Sequence, residues 1–169
     1  MLGFYANFPQ NTHKIAGFST SISNKRLQQA LAETFLKLNN ETFSLEEVAT
    51  PSVPHCKVVF EFGIADENDF NYLDIHEKDK MLKVINKKTF QIMDFLSVIR
   101  YYRIEEEKRS RLRFDYYMLR FMFDKNLIEI RVFHERGPMH VSPEELAEFI
   151  VSKINSAFSK KVLKPLEFS

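Results

Sequence analysis

The spacing of apolar residues along the chain switches between two periods, and each switch marks an element. From 56 to 66, Cys56, Val58, Phe60, Phe62 and Ile64 fall on one side while Lys57, Glu61, Gly63 and Ala65 fall on the other, the two-residue period of a strand. Between 24 and 38 the period lengthens. Leu27, Ala30, Leu31, Thr34, Phe35 and Leu38 recur at three and four behind Ser23, whose hydroxyl can cap a helix, and Asn39-Asn40 ends it. Residues 13–20 read as a strand before this helix. Ser44 and Glu47 have capping-box spacing for a short helix over 45–49, stopped by Pro51 and Pro54. The polar tract 66–69 predicts a turn, 70–75 a short return strand, and 77–88 is charged without a usable period. Over 90–104, Ile92, Phe95, Leu96 and Ile99 fit a helical stripe whereas 98–104 is β-branched and aromatic, so a helix giving way to a strand is expected. A charged connector follows at 105–111. Near the end, Ser142-Pro143-Glu144-Glu145 combines a cap, a first-turn proline and a capping-box glutamate. The buried stripe of this last helix is Leu146, Phe149, Ile150, Ile154, Ala157 and Phe158, and the tail 162–169 reads as extended.

One pair of strands can be aligned residue by residue. Residues 112–123 and 127–136 form a hairpin through Asp124-Lys125-Asn126 if Lys125 and Asn126 are the loop. Phe123 then faces Ile128, Phe121 faces Ile130, Leu119 faces Val132 and Tyr117 faces His134, which makes that face a core. The opposite face carries Phe114, Tyr116, Met118, Arg120 and Met122 against Phe133, Arg131 and Glu129. It is too apolar for ordinary solvated surface and too charged for a sealed interior, so something is expected to cover it.

Strands grouped between an early helix and a carboxy-terminal helix predict an α+β domain, a mainly antiparallel sheet with helices packed on one face. The coarse order is helix-grip-like, an architectural analogy that carries no function. At 169 residues the chain fits a single domain, 1–169. No apolar run approaches the roughly 18 residues needed to span a bilayer, so no membrane partner is expected. One cysteine and an amino terminus without a basic, apolar leader point to a reducing, cytoplasmic setting. A net charge of +1 excludes an overwhelming basic field, though a local patch is compatible with it. Phenylalanine, 17 residues against no tryptophan, fills a core without needing a hydrogen-bond partner, so a large aromatic core is preferred to a ligand box.

No motif specifies a reaction. The four glycines form neither a Walker loop nor a dinucleotide fingerprint, and Ser19-Thr20-Ser21 is better explained by capping than by phosphate. His134, Glu135 and His140 come nearest to a catalytic or metal cluster. Strand alternation sends His134 and Glu135 to opposite faces, and Gly137-Pro138 turns the chain before His140, so neither role follows. Arg136 lies opposite Asp115 in the hairpin register, which predicts an ion pair at the sheet's end. Cys56 beside His55 continues an apolar stripe and reads as a small buried hydrophobe. The acids Asp66, Glu67, Asp69 and Asp74 lack the pattern of a calcium loop and read as a solvated turn. No catalytic residue, metal site or cofactor is assigned.

The best case for a ligand class is the interleaving of basic and aromatic residues over 100–103 and 111–120. The expected contact set is Arg100, Arg103, Tyr116, Met118, Arg120, Arg131 and Phe133, on a non-catalytic protein. Self-association into a homo-oligomer is the first expectation and single-stranded DNA or RNA the second. A small apolar ligand between sheet and last helix, lined by Phe60, Phe62, Phe121, Phe149 and Ile150, is a third. An enzyme has the least support. Arg120 beside Arg131 is a like-charge pair that needs a compensating anion or an acid such as Glu129.

Overall fold

The computed structural model describes residues 1–51, 55–105 and 108–166, with backbone alone at 104, 105 and 108–112. Eight strands are described: β1 (Lys14–Thr20), β2 (Thr42–Ser44), β3 (Cys56–Asp66), β4 (Asp69–Tyr72), β5 (Ile92–Glu105), β6 (Lys108–Asp124), β7 (Leu127–Arg136) and β8 (Leu163–Pro165). They form one antiparallel sheet in the order β2-β3-β5-β6-β7-β1-β8, with β4 folded back on the end of β3. Three helices, α1 (Asn24–Leu38), α2 (Ile75–Lys87) and α3 (Pro143–Ser156), complete an α+β fold.

The alternation of β3 lays Cys56, Val58, Phe60, Phe62 and Ile64 in the core. Onto them α1 sets Phe35, stacked on Phe62 at 4.2 Å between ring centroids and edge-on to Phe95 at 4.7 Å. Phe149 of α3 stacks on Phe60 at 5.2 Å. The five residues expected to line an apolar cavity thus pack as parts of one buried cluster. Two amides stitch α1 to the sheet by imitating backbone. Asn39 at its C-terminus accepts from the Phe62 N–H and donates to the Phe62 and Leu73 carbonyls. Buried Gln28 bonds both the N–H and the carbonyl of Phe90. Each supplies hydrogen bonds to backbone groups that regular pairing leaves open, among them the N–H of Phe62 and of Phe90.

Two local expectations need correction, and one stretch without an assignment acquires one. Residues 92–105 are strand throughout, without a preceding helix. Asp94 and Val98 on one face of β5 are as buried as Phe95 and Ile99 on the other, and apolar residues on both faces mimic a helical stripe. The unpatterned stretch 77–88 lies in α2, capped by the Asp74 carboxylate on the Glu77 N–H. It buries only Met81 and Ile85, too few to show a period. The charged connector is largely strand: Tyr102 pairs with Arg111, Ile104 with Arg109 and Glu105 with Lys108. Its residues 106–107, like 52–54 after Pro51 and the tail 167–169, lie outside the described residues. The short helix after Ser44 is a single 3-10 turn, Leu45–Glu47. Among the described residues no helix is long and apolar enough to cross a membrane.

Candidate contact face of the sheet

The hairpin pairs as its hydrophobic pattern requires, with Phe123 on Ile128, Phe121 on Ile130, Leu119 on Val132 and Tyr117 on His134. Asn126 takes the left-handed conformation (φ 59°) that asparagine tolerates in a turn. The helices cover the core face. The other face carries the expected contact set except Arg103, which is paired directly with Cys56 and therefore lies on the core side of the sheet, and it is divided by the protein's own amino-terminal segment.

Residues 1–8 enter where β3 leaves β5 to pair with β4. The Gly3 N–H donates to the Ala65 carbonyl and the Gly3 carbonyl accepts from the Asp94 N–H, both at 2.7 Å. Gly3 has φ 86°, and a Cβ there would press on the Phe90 ring at 3.0 Å, so this crossing calls for glycine. Beyond it, Phe4 and Phe8 lie over the Arg120 guanidinium, whose carbon is 5.2 and 4.4 Å from their ring centroids. Arg120 makes a two-pronged ion pair with fully buried Asp94, at 2.7 and 2.8 Å, and donates to the Tyr5 carbonyl at 3.1 Å. Asp94 in turn accepts the Tyr5 N–H. The charge of Arg120 and the donors on its Nε and Nη2 are used within the fold.

Its neighbours are compensated as well. Arg131, directly across from Arg120, pairs with Glu129 at 2.8 Å, which answers the like-charge juxtaposition from inside the chain. Arg100 forks onto Glu61 at 2.8 and 3.3 Å and lies over Phe114. Phe133 stacks on His13 at 4.7 Å, Met118 is half-buried between the strands, and Arg103 is half-buried on β5 opposite Cys56. Toward the hairpin turn the face opens into an apolar cavity of about 550 Å³ lined by Ile15, Ile92, Met122, Leu127 and Leu166 among others. Ile15 and Leu127 there are 54% and 42% exposed.

At the opposite end the strands carry two bulges. Between β6 and β7 the register runs from Tyr117 on His134 to Tyr116 on Arg136, so Glu135 is an extra residue. The expected Arg136–Asp115 ion pair therefore does not form: the added residue turns Arg136 to the outer face, where its guanidinium lies 4.3 Å from the Tyr116 ring centroid. Asp115 faces the core and takes other partners. Its Oδ1 meets His134 Nε2 at 2.8 Å and the Met139 N–H at 2.7 Å, and its Oδ2 meets the Tyr101 hydroxyl at 2.6 Å and the His140 N–H at 3.1 Å. Tyr117 donates to the Val141 carbonyl. Burial, reinforced by the Asp115 carboxylate, pushes both phenols far above the usual tyrosine range. The second bulge, between Arg100 and Tyr102, adds a residue to β6 in the stretch that contains Arg113.

The histidines thus serve the fold here: His134 holds Asp115 and His140 sets its ring edge-on to Tyr101 at 4.8 Å. Among the described residues no three His, Cys, Asp or Glu side chains converge as metal ligands. Cys56 is buried, and burial raises its thiol above the usual range. The amino-terminal aromatics Phe4, Tyr5 and Phe8 are the contributors that sequence reasoning missed. Six apolar or aromatic residues in the first eight, ahead of any periodic element, were the available signal. Comparison with protein families, with curated proteins and with solved structures finds no match for this chain.

Proposed function

We propose that this protein is a non-catalytic binding module that associates with a second copy of itself through the outer face of its sheet, around the cavity between Ile15, Met122, Leu127 and Leu166. The observation that carries the reading is charge balance. Asp94 with Arg120, Glu61 with Arg100 and Glu129 with Arg131 each sum to zero on this face, beside exposed Ile15 and Leu127. A neutral, apolar patch carrying both signs in equal number suits a two-fold contact, in which each surface meets its own copy. The saturation of Asp115 by four donors, the capacity of a carboxylate, favours a structural role for the largely buried His134–Asp115 pair. The test is sedimentation equilibrium across a hundredfold concentration range. A dimer mass that Leu127→Asp or Ile15→Glu converts to monomer, with unchanged circular dichroism, is the expected result. A monomer mass at every concentration overturns the proposal.

A further inference from the structure

The end of the outer face remote from the apolar cavity has a different character. A cavity of about 360 Å³ lies between the two bulges, lined among the described residues by Arg113, Phe114, Tyr116, Arg136 and Gly137. Phe114 and Tyr116 stand edge to face at 5.3 Å, and Arg136 lies over Tyr116. Arg113 is exposed, and neither Arg113 nor Arg136 has a carboxylate within ion-pair distance among the described residues. Exposed Glu135 of the bulge pairs with neither. This separates them from Arg100, Arg120 and Arg131, each neutralised by an acid of its own.

The backbone delivers both cations against strand alternation. Without the extra residue Glu135, Arg136 would face the core opposite Asp115 and be neutralised there. With it, the guanidinium moves to the aromatic pair, while Gly137 (φ 117°) lets the chain pass so close to Asp115 that a Cβ would sit 2.4 Å from its Oδ1. Arg113 comes from the neighbouring bulge of β6. Bulges gather beside binding sites because they re-aim a side chain at the expense of ladder hydrogen bonds. Two uncompensated guanidiniums sharing one small cavity repel each other until an anion lies between them, and planar guanidinium forks match phosphate oxygens. Two rings beside them offer a stacking surface.

We infer that this cavity binds a nucleoside phosphate, its base stacked on Tyr116 with an edge toward Phe114 and its phosphate held by Arg113 and Arg136. The volume lies near the lower end of the range of about 300–1,000 Å³ for small-molecule sites, which suits one nucleotide. A single phenyl phosphate would leave the second ring uncovered. The same base-and-phosphate chemistry is offered by a free nucleotide and by an unstacked nucleotide in a single strand, whereas a duplex keeps its bases stacked. The inference is independent of self-association, because Tyr116 and Met122 are six residues apart on one strand, about 20 Å.

The measurement is the fluorescence of 2-aminopurine, quenched when the base stacks, supplied as its riboside monophosphate and within a single-stranded and a duplex oligonucleotide. Quenching by the full chain is expected for the nucleotide, the single strand or both, and the arm that responds identifies the source. Arg113→Ala/Arg136→Ala should weaken binding at least about tenfold, a change of about 1.4 kcal/mol. Arg131→Ala and Leu127→Asp should leave it unchanged. Two phosphate contacts in a single strand predict a log–log salt slope of about −1.4. Tyr116→Leu should abolish the quench while retaining weak phosphate competition. Absence of quenching in both the nucleotide and single-strand arms, duplex binding equal to single strand, phenyl phosphate competing as well as the nucleotide, or full binding by the double arginine variant would each overturn the inference.

Discussion

Asp94 and Asp115 are both fully buried, and each fastens a length of irregular chain to the sheet, yet they do so by opposite means. Asp94, on the outer face, neutralises Arg120 and receives the Tyr5 N–H, so the amino-terminal segment is roofed over an ion pair. Asp115, on the core face, has no arginine and collects a phenol, an imidazole and two backbone N–H groups, so the 137–141 loop is drawn down by hydrogen bonds alone. The difference begins with parity. Asp94 and Arg120 are directly opposed on adjacent strands, so the pair forms by register. Arg136 would oppose Asp115 by the same rule, but one bulge residue removes it. A buried charge with an equal and opposite partner is costly only when one member is deleted, whereas a carboxylate satisfied by many donors loses stability in steps.

The largest effect is therefore expected at the ion pair. Asp94→Ala leaves the Arg120 guanidinium, 16% exposed, without its acid and should lower unfolding free energy by about 3–5 kcal/mol, read from denaturant melts. Amide exchange over residues 3–8 should rise with it. Asp94→Leu with Arg120→Met removes both charges and should restore most of that loss. If the double variant is as unstable as Asp94→Ala, the pair contributes through shape rather than charge, and the contrast with Asp115 fails.

Asp115→Asn should cost less, about 2–3 kcal/mol, because an amide still accepts on one side but turns a donor toward existing donors on the other. Its local signature is faster exchange at Met139 and His140 with the amino-terminal segment unaffected. Gly137→Ala, strained by its positive φ and by the contact with Asp115, should loosen the same two amides.

A pH titration separates the two sites again. Tyr101 and Tyr117 keep their protons in the folded protein, through burial first, whereas in the unfolded chain they ionise near about pH 10. Above that pH the folded state binds more protons than the unfolded one, so their contribution is fully present below about pH 10 and is lost as pH rises beyond it. Absorbance of phenolate should show these two tyrosines silent until the chain unfolds at alkaline pH. Early, reversible ionisation of all six would contradict their burial.

The smallest effect belongs to Ser97, on β5 between Phe95 and Ile99, whose buried hydroxyl has no partner among the described residues. Unlike Asp115 it is unsatisfied, so Ser97→Ala should stabilise by about 1 kcal/mol, seen as a raised denaturation midpoint with unchanged slope.

Much of the fold was legible because its determinants are local. Ser23 and Ser142 cap the helices they precede, β3 spans the whole alternating run 56–66, and the hairpin register follows from the demand that Leu119, Phe121, Ile130 and Val132 share a face. The outer side of the hairpin was legible from its alternation, but not in its charge state. Glu129, two residues from Arg131 on the same strand, was a foreseeable partner, but Arg120 still looked like part of an anion site because Asp94, 26 residues away, is matched to it only by the folded pairing. Period alone could not assign β5, since a strand buried on both faces has no polar side to show. Nor could it place Arg136, since a bulge inverts parity without leaving a mark in composition.

What the chain by itself determined is which residues lie on which side of each regular element, because pleat and helix periods are properties of the backbone. Tertiary structure decided which charges remain unpaired. Arg120 met Asp94 and Arg100 met Glu61 across neighbouring strands and Arg131 met Glu129 along its own, whereas Arg136 was carried away from Asp115 by an added residue and Arg113, at the other bulge, has no carboxylate in reach among the described residues. Pairing between distant segments, unlike periodicity, depends on where the whole sheet places its strands.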